Sequence, residues 1–302
     1  MIMTANQNLP ARSYQKEFKE LLQAVFRTQA YFSDFFGGQI EALDGVQHNE
    51  NAFYVKTSDI PVVVNTYSTD PDVAFDTGTA NSTRFGPRTE IIYTDTPVPY
   101  TWGWAFHEGI DRHTVNNDMQ AAIADRLDLQ AQAKTKEFNA KHSQFISSVA
   151  GHTENLDSYT DEAVTALFDA LYAHYLNNEV IGTKVARVNA QLYNVIVNGG
   201  LAVKEKGSSV GIDRNEVYMF KDFVIDPLPA HLFQEDEVAY TYVPGVAKAF
   251  TGINTARTIE SEDFDGVALQ GAGKAGEFIL EDNKLAVAKV TYSGGTGGGV
   301  EG

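Results

Sequence analysis

No proline or glycine interrupts the chain from Val115 to Ala150. Met119, Ala122 with Ile123, Leu127, Ala131, Phe138, Phe145 and Val149 recur along that stretch at helical spacing. The pattern predicts a single helix of roughly 33 residues, about 50 Å long at about 1.5 Å per residue. Few compact enzymes need a helix of that length. An elongated subunit does, and the rest of the chain has to be read around it.

On the N-terminal side, Tyr14, Phe18, Leu21, Leu22, Val25 and Phe26 predict an amphipathic helix over 13 to about 30. Phe32, Phe35 and Phe36 follow, closed by Gly37-Gly38. Residues 52–67 and 90–106 read as extended chain on either side of a polar tip, Ser68 to Arg88. Two strands of about fifteen residues would make a hairpin reaching on the order of 50 Å. A lone ribbon is marginal in water, so this one is expected to lie against a neighbouring copy. In its returning strand Tyr100, Trp102, Trp104 and Phe106 share one face, which is read as packing.

Beyond the long helix, Thr160 is the expected N-cap of the helix in TDEAVTALFDALYAHYLNN, and Asn189 that of the helix Ala190–Asn198. From Glu216 onward the chain reads as short strands, VYMFKDFVI and VAYTYV, then a hairpin GEFILEDNKLAVAKVTY turning at Asp282-Asn283. SGGTGGGVEG is a tail without a core.

Composition narrows the function classes. A net charge of −17 argues against broad adhesion to nucleic acid, which needs clustered Lys and Arg. The absence of cysteine excludes disulfides and thiol catalysis and suits a reducing cytoplasm. No run of eighteen apolar residues is present, so no membrane span is expected. The start, MIMTANQNLPARSYQKEF, lacks the features of a secretory signal.

The chemically suggestive motifs are each better explained by structure. His107, Glu108, Asp111, Arg112 and His113 bring two histidines and two carboxylates together, but Asp111 stands where a zincin helix needs its second histidine. The segment reads as a charged joint over 107–114, with Glu108 and Asp111 near a helix start. Gly207-Ser208-Ser209-Val210-Gly211 has nucleophile-elbow spacing without the buried strand before Ser209 or the helix after it. Gly271-Ala272-Gly273-Lys274-Ala275-Gly276 has dinucleotide-fingerprint spacing but leads into a strand, so no helix dipole faces a phosphate. Asn81-Ser82-Thr83 is a glycosylation sequon without secretory context. No catalytic, cofactor-binding or metal-binding residue is expected.

In order and texture the chain resembles the major capsid proteins of tailed phages, those with the Hong Kong 97 capsid fold. Residues 52–106 are similar to that family's extended loop, and VNNDMQAAIADRLDLQAQAKTKEF to its spine helix. TDEAVTALFDALYAHYL and VARVNAQLYNVIVN are similar to helices of its axial domain, and VYMFKDFVIDPLP and INTARTIESEDFDGVALQGAGKAGEFIL to its later strands. The resemblance implies an α+β fold: an N-terminal arm (1–51), an extended loop (52–106), a spine helix of a peripheral domain (107–152) and an axial domain (153–235). Return strands shared by both domains (236–292) and the Gly-rich tail (293–302) complete it.

The same resemblance implies a structural protein that self-assembles through hexamers and pentamers into an icosahedral shell around double-stranded DNA, without sequence-specific contact. A separate scaffolding protein and a portal are implied partners. Contacts between subunits are expected at Arg84, Phe85, Arg88, Trp102, Trp104, Glu108 and Asp111. Some members crosslink subunits through a loop lysine; Thr57 to Ala133 contains none, so cohesion here is expected to be non-covalent. The rival readings are an encapsulin-like compartment shell, a tail or decoration protein, and a soluble hydrolase using Ser209 or the His107–His113 cluster.

Overall fold

The computed structural model describes residues 28–38, 40–43, 51–70, 84–115, 118–199, 203–204 and 218–294. Outside them lie the Ser209 loop, the sequon, the tail beyond residue 294 and nearly all of the expected N-terminal helix. Its last residues, Thr28 to Ala30, are described and are not helical.

In chain order the elements are β1 (Glu41–Ala42), β2 (Asn51–Thr57), β3 (Thr94–Pro99), β4 (Trp102–Asp111), α1 (Met119–Val149) and β5 (His152–Leu156). Next come α2 (Asp161–Asn177), β6 (Lys184–Val188), α3 (Ala190–Asn198), β7 (Val203–Lys204), β8 (Tyr218–Phe220) and β9 (Phe223–Pro227). The chain ends in β10 (Glu237–Tyr242), β11 (Ala247–Glu260), β12 (Gly266–Ile279) and β13 (Val287–Tyr292). The class is α+β, as the sequence predicts. Among the described residues, no helix is long and apolar enough to cross a membrane.

A seven-stranded sheet, ordered β5-β13-β10-β6-β9-β8-β7, forms the centre of one half. Alternation sends its side chains into two cores. Ala186, Val188, Ala288 and Val290 meet α2 and α3 through Val164, Phe168, Leu171, Leu192 and Ile196. Val185, Tyr240, Tyr242 and Val287 meet Ile146 of α1 and the segment 31–38, where Phe32, Phe35 and Phe36 are buried. Partly buried Arg187 bridges Asp34 and Asp226 at 3.1 and 2.9 Å, pinning that segment to the sheet. Both expected caps are present: Thr160 accepts from the Ala163 amide and Asn189 from the Leu192 amide.

The second sheet is four-stranded, ordered β1-β11-β12-β4. Its two central strands are 14 residues each, about 46 Å of extended chain. A base of two further strands, β2 paired with β3, packs Ala52 and Val98 against Phe250.

Several local expectations are corrected. Tyr100–Phe106 does not return along the ribbon: β4 pairs with β12 from Trp102↔Ala275 to Asp111↔Gly266. The ribbon is therefore regular only over seven residues of β2 and six of β3, not about fifteen. VYMFKDFVI is two strands, because Lys221 and Asp222 both take positive φ, 47° and 70°, in a tight turn. Lastly, β12 and β13 are not a hairpin. A 3₁₀ turn at Asp282–Ala286 carries the chain from one sheet to the other.

Candidate assembly surface

The strand β4 and the helix α1 form one unit. Strand side chains on one face repeat every two residues, about 6.6–6.8 Å, while a helix row repeats every four, about 6.0 Å. The near match lets the two run antiparallel and in register. Trp102 meets Phe138 edge-on at 4.7 Å between ring centroids. Trp104 lies under the Lys134 ammonium, 4.0 Å from its ring centre. Glu108 accepts from Arg126 Nε at 2.7 Å and from Gln130 at 2.6 Å, with a second Arg126 bond to its other oxygen. The Arg126 and Gln130 hydrogen bonds hold the Glu108 carboxyl below its usual range, whereas burial pushes Lys134 down.

The helix face that does this is Arg126, Gln130, Lys134, Phe138 and His142, continued by buried Ile146. Of the apolar stripe expected from the sequence only Phe138 lies on this face; Phe145 and Val149 pack against the core beyond it, and Leu127 is exposed. The base of the seam is a buried polar knot. Glu277 accepts from Trp102 Nε1 at 2.9 Å and Thr101 Oγ1 at 3.2 Å, and lies 3.7 Å from His142 Nε2. Burial pushes His142 down to about 4 and Glu277 up.

Packing also accounts for the GAGKAG run. A Cβ on Gly273 would come within 2.7 Å of the Trp104 ring, and one on Gly276 within 2.7 Å of Phe250. These glycines make room for aromatic rings of neighbouring strands, which is why the motif has dinucleotide spacing without a dinucleotide fold.

The joint expected over 107–114 starts later. His107 to Asp111 are strand, and the turn begins at Arg112, held by the Arg112 amide on the Asp265 carbonyl and the His113 amide on Asp111 Oδ1. Asp118, not Glu108 or Asp111, caps α1, accepting from the Ala121 amide. His107 lies beside Gln270 and His113 beside Asp265, so neither joins Glu108. Among the described residues no three His, Asp or Glu side chains are grouped to hold a metal ion.

The ribbon beyond its base presents apolar side chains to solvent. Val62 and Val64 are 87% and 90% exposed, and Ile91, Ile92 and Tyr93 are more than half exposed. Its two legs meet again where the Ser68 amide bonds the Arg84 carbonyl, Arg84 bonds the Ser68 carbonyl, and Tyr67 meets Phe85 edge-on at 5.2 Å. Arg84 is thus half-buried at the tip, while Phe85 and Arg88 are exposed. Of the expected contact residues, Arg84, Phe85 and Arg88 lie on the outer surface. Trp102, Trp104 and Glu108 lie in the internal seam, and Asp111 at its turn.

No protein-family model and no curated protein matches this chain. Solved structures do. The capsid of cyanophage P-SCSP1u superposes with a TM-score of 0.67 at 9% identity, covering 95% of this chain and 94% of that one. The mature capsid of bacteriophage PhiM1 gives 0.64 at 9% identity, covering 93% and 92%. The capsid of Ralstonia phage GP4 gives 0.57 at 11% identity, covering 99% and 100%. The agreement extends over nearly the whole chain. The chain has the Hong Kong 97-like fold of phage major capsid proteins.

Proposed function

We propose that this chain is a structural shell subunit. Copies associate as hexamers and pentamers into an icosahedral capsid that encloses double-stranded DNA, and the protein works by assembly and not by catalysis. The observation that carries the reading is the ribbon. Its base is anchored in the protein's own core through Ala52, Val98 and Phe250, whereas Val62, Val64, Ile91 and Ile92 further out face water. Several large apolar side chains exposed along one loop mark a site of protein contact, and a neighbouring subunit supplies the cover.

The phage capsid neighbours support this reading and a place in the virion; synthesis in the bacterial cytoplasm is part of the proposal. A net charge of −17 favours an enclosed genome held by confinement over one gripped by the wall. A separate scaffolding protein and a portal complete the proposed set of partners. Expression of the full chain followed by electron microscopy tests the proposal. Closed shells support it; a protein that stays monomeric in the presence of its genomic neighbours contradicts it.

A further inference from the structure

The 3₁₀ turn at Asp282–Ala286, which carries the chain between the two sheets, is held by its neighbours. The Gly151 amide donates to the Lys284 carbonyl at 3.1 Å, and Asn283 Nδ2 donates to the Val246 carbonyl at 2.9 Å. From α2, His174 Nε2 lies 3.0 Å from the Leu285 carbonyl. A carbonyl can only accept, so Nε2 carries the proton and Nδ1 of the neutral ring is an acceptor. Asn178 Nδ2 donates to that Nδ1 at 3.2 Å and to the His174 carbonyl at 2.8 Å. The amide therefore cannot turn its oxygen to Nδ1 without setting oxygen against the carbonyl.

His152 of β5 covers one face of the His174 ring. The two half-buried imidazoles are stacked, 4.0 Å between centroids and 7° from parallel. His152 Nε2 is 2.7 Å from Glu154 Oε1, and Tyr175 meets His174 edge-on at 5.5 Å. On the turn Lys284 is engaged with Glu281 at 2.6 Å, and on β13 Lys289 with Glu237 at 3.0 Å. His152 and Glu154 are thus the titratable neighbours that act on His174.

The two rings differ in what a proton does to them. A proton added to His152 leaves an imidazolium beside the Glu154 carboxylate. One added to His174 Nδ1 loses the Asn178 bond and, with His152 charged, sets two cations face to face. Burial, with the His152 charge second to it, holds the His174 imidazole below its usual range. The Leu285 carbonyl, Glu154 and the C-terminal end of α2 pull the other way without reversing it.

We propose that the stacked His152–His174 pair is a proton-operated latch. With His174 neutral it ties the end of α2 to the crossover turn, and a second proton on the pair opens that tie while both cores stay folded. A depressed imidazole favours the open form once charged, so the latch is closed above the ordinary histidine range and opens as pH falls through the His174 value. The inference concerns one subunit and does not depend on the shell reading.

Amide hydrogen exchange of the full-length, unassembled protein, corrected for intrinsic rates, tests it. The amides of 178–180 and of 283–284 close the end of α2 and the turn. In the parent their protection should fall at least about fivefold between about pH 7.5 and about pH 4.5, and more than that of β6 and β10. His174→Gln cannot take up the proton and should lose this local fall. Asn178→Asp gives the imidazolium an acceptor, so whatever its protection at neutral pH, the fall should shrink to under about twofold. Either variant decides the matter without the other. A parent with no local fall, or a fall of parental size in either variant, would overturn the latch.

Discussion

Arg126 stands eighteen residues after Glu108, and its guanidinium donates to both oxygens of the Glu108 carboxylate. This pair closes a strand–turn–helix unit whose two arms otherwise meet through aromatic contacts. Glu108 has its pKa lowered by the Arg126 and Gln130 bonds. A depressed carboxylate contributes stability that is present above its unfolded value and is lost as pH falls through the folded one. Glu108→Gln should therefore lower the melting temperature at pH 7, and the difference from the parent should vanish as the pH drops below the folded value of Glu108. A difference that persists unchanged in strong acid would show that the carboxylate's charge plays no part. Because the pair is partly solvent-exposed, the effect at pH 7 is expected to be the smallest of those predicted for the seam.

Trp104 stabilises the seam more than the ion pair does. Its ring is partly covered, by Lys134 above and by the Gly273 backbone below, so Trp104→Ala is expected to cost about 2–3 kcal/mol, under the about 3–5 typical of a fully enclosed aromatic. Gly273→Ala should be comparably damaging, since its new methyl would meet the Trp104 ring. The double variant should cost less than the sum, because removing the ring removes the clash. Strict additivity in chemical denaturation would refute the proposed fit.

Much of this architecture can be read in the residues. The unbroken run to Ala150 announces the helix, and Thr160 and Asn189 announce its successors' first turns. The partner of β4 cannot be read, because Trp102 to Phe106 alternates the same way whether it pairs with the ribbon or with β12. Pairing is a long-range choice, made where the Gly273 and Gly276 positions admit aromatic rings. The functional face of α1 is hidden for a related reason. Arg126, Gln130 and Lys134 look like a solvated face until Glu108 and Trp104 are placed opposite, although their strict four-residue spacing from Phe138 is a usable signal. Glu277, which holds Trp102, has no sequence signature at all.

The buried knot gives a second pH dependence. Burial depresses His142 from 6.5 to about 4, so between those values the unfolded chain binds the proton more tightly and stability falls with falling pH. Glu277, raised by burial, opposes this, and its carboxylate is therefore neutralised first in the comparison. In a Glu277→Gln background, His142→Gln should abolish the loss of stability between about pH 6.5 and about pH 4, a loss of up to about 3 kcal/mol. A pH profile unchanged by His142→Gln would mean that the imidazole is solvated.

Metal removal separates the charged joint from a catalytic centre. Chelation should leave the melting temperature unchanged, and His107→Ala with His113→Ala should fold and assemble like the parent. Their rings contact Gln270 and Asp265 at the surface, so either change is expected to fall within about 0.5 kcal/mol. A chelator that dissolved the assembled particles would require a metal at this joint.

The ribbon carries the central claim, and one measurement tests it most directly: particle counting by electron microscopy of the full chain beside Val64→Asp and Ile92→Asp. Both side chains are exposed in the subunit, so neither charge should move the melting temperature of the unassembled protein. The account predicts closed shells from the parent and none from either variant. Normal shells from both would contradict it, because the exposed apolar ribbon would then not be the surface that joins subunits.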